Sequence, residues 1–140
     1  MDPISISASC VGLVATIAKT SIAVTSFVRD VRDARRDLDA VSRELSSLTT
    51  ILELLAEDTT DKKGQLLPAS LQAQITGILT NCGDVVVEIE DGLVKHKKSK
   101  LGRRGYWTMG GGQGDMSKLR ATLEAHKSAL EIALEMLAMY

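Results

Sequence analysis

Residues Asp37–Leu55, DLDAVSRELSSLTTILELL, carry the clearest repeat in the chain. Leu38, Val41, Leu45, Leu48, Leu52 and Leu55 follow one another at alternating intervals of three and four, with Arg, Asp and Glu outside the seam. That spacing keeps one apolar edge on a single side of a helix, whereas a half-buried strand would need strict alternation. A helix over about 31–57 is predicted. The seam is short for a free coiled coil, which favours an intramolecular bundle.

Read backwards, the register continues through Val31, Phe27 and Val24 without Gly or Pro. One long helix bent near Arg29–Asp33 and two separate helices are both compatible with this stretch. Before it lies Ile4–Val28, ISISASCVGLVATIAKTSIAVTSFV, 25 positions with Lys19 as the one charge. A helix rising about 1.5 Å per residue needs roughly 20 apolar residues to cross a bilayer, so this segment is long enough. It is equally suited to be the most buried helix of a small bundle. Asp2-Pro3 opens it, since Pro is tolerated in a first turn. Ile6, Cys10, Leu13, Ile17, Val24 and Phe27 fall on one stripe, with Ser5, Ser9, Thr16 and Lys19 off it. Eight Ser or Thr residues leave the segment only mildly apolar, and with no basic residue ahead of it a secretory signal is not expected.

Read forwards, Asp58–Leu67 is polar, contains Gly64 and is expected to be a loop. Pro68 starts a third helix over about 68–96, with Leu71, Ile75, Ile78, Cys82, Val85 and Ile89 on one face. Gly77 and Gly83 interrupt it, each less favourable than Ala by roughly 1 kcal/mol, and close helix packing is the expected compensation. Asp84, Glu88 and Asp91 form an acidic, solvated stripe. The segment 97–114, with Tyr106, Trp107 and the run Gly110–Gly114, is expected to be the longest irregular loop. Asp115 then caps a last helix over about 115–138, in which Leu119, Leu123, His126, Leu130, Ala133 and Leu137 share one side. The whole is a single all-α domain, a bundle of about four helices.

Leu and Ala dominate and only 3% of residues are aromatic, which also argues against a sheet. Cys10 and Cys82 make neither a disulfide scaffold nor a metal site, and reduced core thiols of a cytoplasmic protein are expected. An enzyme is not expected, and no cofactor or metal is implied. No strand precedes Gly110–Gly114, and Asp115 stands where a P-loop needs Lys. His96 lies among cations and His126 on a bundle face. Lys95–Arg104, KHKKSKLGRR, holds six Lys or Arg in ten residues. Lys95, Lys97, Lys98, Lys100, Arg103 and Arg104, with Trp107 beside them, suit anionic lipid headgroups at up to about 1 kcal/mol per cation. A merely solvated loop fits them as well. With a net charge of -1, nucleic acid is not an expected partner.

The start MDPISISASCVGLVATIAKT, the seam DLDAVSRELSSLTTILELL, a Trp after a basic stretch and the end KLRATLEAHKSALEIALEML together resemble the fungal N-terminal domain of STAND proteins. That family is related to the HeLo and HeLo-like domains. The resemblance spans nearly the whole chain and implies a helical bundle ahead of a NACHT or NB-ARC module in a NOD-like receptor. It further implies that self-association frees the first helix, which moves from the cytoplasm to the plasma membrane and kills the cell in non-self recognition. On that reading Ile4, Ile6, Cys10, Leu13, Val14, Ile17, Lys19, Val24 and Phe27 belong to the membrane-inserting helix, and Trp107 is the family's Trp. The alternative is a non-lytic adaptor that self-associates or recruits partners.

Overall fold

The computed structural model describes residues 3–61, 67–95 and 100–140, with side chains for 5–61, 67–95 and 102–140. Five α-helices are described: α1 (Pro3–Asp30), α2 (Arg35–Asp61), α3 (Ala69–Val94), α4 (Lys100–Thr108) and α5 (Gly112–Ala138). No strand occurs among the described residues. The long helices form an up-down-up-down bundle, and α4 lies across one end. Ser7 of α1 reaches the Ala56 carbonyl and Thr60 of α2, so these two helices run antiparallel. Lys19 of α1 meets Glu90 of α3, and Leu13 and Gly83 line one cavity, so those two run parallel.

α1 and α2 are separate helices. Val31 leaves helical geometry at φ -127°, ψ 86°, and a three-residue 3-10 turn, Arg32–Ala34, redirects the chain. Without Gly or Pro to mark it, the corner is held by tertiary burial: Val31 and Ala34 are both inside the core. All six seam residues, Leu38, Val41, Leu45, Leu48, Leu52 and Leu55, are buried, as are Ile6, Cys10, Leu13, Ile17, Val24 and Phe27 of α1. Six such α1 side chains, each stabilising by about 1.5–3 kcal/mol, contribute on the order of 10 kcal/mol. α1 is therefore structural core, packed between α2 and α3.

Four expectations need correcting. α2 continues past 57 to Asp61, because Thr59 is buried and bonds back to the carbonyls of Leu55 and Ala56, extending the helix into the stretch read as loop. The loop expected over 97–114 contains α4, whose two glycines conceal it from propensity reading, while burial of Arg103 and Trp107 supplies the packing a short helix requires. Asp115 is not the cap of α5: the helix starts at Gly112 after Gly111, and Asp115 lies in its first turn. Gly77 and Gly83 are not sites of close approach, since a Cβ at Gly77 meets nothing within 4 Å and one at Gly83 only Leu13 Cδ1 at 3.9 Å.

The glycines that do matter stand at the α4–α5 corner. Gly111, at φ +81°, takes the left-handed conformation that turns the chain. Gly112 packs under the Tyr106 ring, where a Cβ would come within 2.6 Å of Cε2. The Gly-rich run is thus a tight reversal beneath an aromatic ring. The positions Ile4 (side chain), Gly64, His96, Lys97, Lys98 and Lys100 (side chain) lie outside the described residues.

Candidate functional site

Three of the four aromatic residues of the chain gather at the α4 end of the bundle. The Phe27 ring, at the last turns of α1, meets Trp107 at 5.7 Å between centroids and Tyr106 edge-on at 6.5 Å. The Arg103 guanidinium lies over the Phe27 ring, 5.6 Å from its centroid. Its Nη1 donates to Asp30 Oδ2 at 2.6 Å, to Ser26 Oγ at 3.2 Å and to the Ser26 carbonyl at 3.3 Å. Arg103 and Trp107 are four residues apart and therefore share one face of α4, which both bury against the end of α1. Only 2% of the Arg103 side chain and 18% of Asp30 are exposed. An ion pair this dry is strong once made and severe to break singly, because the survivor stays buried without a partner. α4 is a latch on the C-terminal turn of α1.

This placement overturns two expected roles. Arg103 and Trp107 were expected to face lipid headgroups, but both are buried, at 1% and 3% exposure. The reason is the amphipathic winding of α4, which turns these two inward while Arg104 faces solvent. Lys95, just after α3, is exposed as well. Asp30 and Ser26, the partners of Arg103, were not singled out from sequence. The signal that could have found them is the i, i+4 pairing of Arg103 and Trp107, invisible while the segment was read as a loop.

The second feature is the outward face of α1. Ala8, Val11, Gly12, Ala15, Ala18, Ile22 and Thr25 are exposed, and among the described side chains before Arg29 Lys19 is the sole charged one that is exposed. Val11 and Ile22 are 63% and 71% exposed. Ser5–Asp30 is the one described helix long and apolar enough to cross a membrane, and just 33% of its apolar window is buried. The exposed face of α2, by contrast, carries Arg35, Arg36, Asp39, Arg43, Glu53 and Glu57. Three α1 hydroxyls are already satisfied by their own helix: Thr16 donates to the Gly12 carbonyl, Thr20 to Thr16 and Thr25 to Ser21, each at 3.1 Å. Lys19 Nζ, 3.4 Å from Glu90 Oε1, ties this face to α3 through a pair in which Lys19 is exposed and Glu90 is half-buried.

A shallow cavity of about 470 Å³ separates α3 from α5 near Tyr106, with Glu88, Asp91, Asp115, Lys95 and Lys118 around it. Burial, and secondarily the Asp115 carboxylate, hold the Tyr106 hydroxyl above its ordinary range. Three carboxylates against two lysines leave this cavity with a net charge of about -1, too weak a field to select a charged ligand.

The fold and these features define an α-helical bundle with a latched, outwardly uncharged first helix. The chain belongs to the family described as the N-terminal region of the pigment biosynthesis cluster protein PigL, which matches residues 1–140. No curated protein and no solved structure matches it.

Proposed function

We propose that this N-terminal helical domain is a non-enzymatic, switchable membrane effector of a fungal NOD-like receptor, in line with its resemblance to HeLo-like domains. The observation that carries the reading is the exposed, nearly uncharged face of α1. A bundle helix ordinarily presents charge to water, as α2 does. α1 instead presents Ala, Gly, Val and Ile, a surface that gains nothing from water and matches hydrocarbon.

The energetics restrict how the switch works. Removing α1 into water would forfeit about 10 kcal/mol of burial, comparable to the whole stability of a domain. A water-exposed free helix is therefore not an intermediate. Release and insertion are one concerted event at the membrane, where hydrocarbon replaces the lost core contacts. Clustering favours that event by supplying neighbouring copies of α1 for the small-residue positions. The self-bonded Thr hydroxyls lower the penalty of entering lipid, where unsatisfied donors are costly. Lys19 then faces a neighbouring helix or a watery lumen. In this proposal the partners are further copies of the chain and anionic lipid, with travel from cytoplasm to plasma membrane, cell death as the outcome and a downstream NACHT or NB-ARC module as the trigger.

Dye release from vesicles of graded anionic lipid content, with chemically clustered protein, tests this. The expected result is leakage that Ile22→Lys and Val11→Lys abolish while circular dichroism stays unchanged. Leakage undiminished in both charged variants would overturn the role of the outer α1 face, and no leakage from the well-folded clustered chain would leave the adaptor reading as the better one.

A further inference from the structure

The corner between α1 and α2 meets α4 around a cavity of about 440 Å³ lined by Arg29, Asp30, Val31, Arg32, Asp33 and Arg104. Arg29, Arg32 and Arg104 are exposed, and among the described residues none of their guanidinium groups is in an ion pair. They come from three different elements: the last turn of α1, the 3-10 turn and the outer face of α4. Like charges are not gathered this way by packing alone, since each repels the others and none is needed to bury apolar surface. Asp30 adds little negative field, because Arg103 already neutralises it at 2.6 Å. Asp33 offsets one of the three guanidinium charges, which leaves a surplus of two.

We propose that this cavity binds a phosphomonoester. A phosphomonoester carries about 1.5–2 negative charges near neutrality, matching the surplus, and its three terminal oxygens suit the planar donor forks of arginine. The volume admits one such group with part of its carrier, such as an inositol or glycerol. A polyanion that runs across the surface would bring far more charge than the surplus of two and would meet the Asp33 carboxylate, which disfavours nucleic acid. A carboxylate, with a single charge and two oxygens, leaves one guanidinium without a partner.

The site has a built-in consequence for the latch. The Asp30 carboxylate that holds Arg103 also lines the cavity. A phosphate seated there repels Asp30 and competes for the Arg103 charge, so occupancy loosens α4 from α1. Recognition of the phosphomonoester is independent of the membrane reading: the cavity exists in the resting bundle and binds whether or not α1 ever enters lipid.

Isothermal titration of the intact chain at low salt, with inositol 1-phosphate and glycerol 3-phosphate as soluble probes, tests the site. Flotation with phosphatidic acid vesicles, against phosphatidylserine vesicles of equal charge, is the lipid arm. Saturable binding weakened about tenfold or more by Arg32→Gln and again by Arg104→Gln is expected, as for loss of a charge-assisted contact. Both residues are exposed, so folding is unaffected. Soluble probes binding with the same variant response assign a free phosphate source, and preference for phosphatidic acid with weak soluble binding assigns a lipid source. Absence of saturable binding in both arms, or binding that the Arg29→Gln, Arg32→Gln, Arg104→Gln triple variant retains, overturns the proposal. The sole tryptophan, Trp107 in the latch, reports the coupling: ligand should shift its emission to the red in the parent chain and leave the triple variant unmoved.

Discussion

Arg103 is the residue on which the latch turns. Replacing it with Met removes the guanidinium but leaves Asp30 facing a dry surface, and a loss of about 2–4 kcal/mol is expected. The value sits below the upper range for buried pairs because Asp30 keeps some contact with water. Adding Asp30→Asn should return much of that loss, since the double variant buries no uncompensated charge. Urea unfolding of the three variants checks this, and strict additivity would show that the two residues do not act as a pair. The glycines make a second, paired prediction. Gly112→Ala should destabilise by about 1–3 kcal/mol through collision with the Tyr106 ring, whereas Gly77→Ala should stabilise by up to about 1 kcal/mol, because its Cβ enters open space. Neither outcome was readable from sequence, where Gly77 looked like a packing site and Gly112 like part of a loop. A glycine's role depends on what stands opposite, and only tertiary structure supplies that.

At the scale of elements, α1 has two faces with two jobs. Its inner stripe is core and its outer face is the proposed membrane surface. Deleting residues 1–28 should therefore collapse the whole helical signal in circular dichroism; a truncated chain that remains cooperatively folded would contradict the core role. Point charges on the outer face separate the two jobs, which deletion cannot. The stripes of α1, α2 and α3 were legible because 3.6-residue periodicity depends on local spacing alone. α4 was not, since its burial rests on Phe27 and Asp30, more than 70 residues away, and its sequence KLGRRGYWT lacks an apolar repeat. The same blindness misassigned Arg103 and Trp107: a cluster of cations beside a Trp reads as a membrane surface until the helix sorts them into an inner and an outer face.

For the molecule as a whole, the resting bundle is a store of apolar surface kept from water on one side only. Its two thiols mark how dry the interior is. Burial, with the neighbouring Cys82 as a lesser cause, pushes the Cys10 thiol up to about 12, and burial pushes Cys82 to about 11, from an ordinary 9.0. The unfolded chain releases these protons near pH 9 while the folded chain retains them. Stability is accordingly unaffected by the thiols below that pH and falls as pH rises toward 11–12. Denaturant midpoints between pH 8 and pH 10.5 should decline more steeply in the parent than in a Cys10→Ala, Cys82→Ala chain; equal slopes would contradict the assignment. Both thiols should also resist alkylation until the bundle opens. That inertness permits a single reporter thiol to be placed on the surface of α1.

In the proposed switch, the outward face of α1 enters the bilayer when copies cluster. The most direct measurement is the environment of position 22, through Ile22→Cys carrying a polarity-sensitive fluorophore, on clustered protein bound to anionic vesicles. Blue-shifted emission that spin-labelled acyl chains quench is the expected result. Emission that stays water-like and unquenched, while the chain is bound to the same vesicles, would contradict the claim.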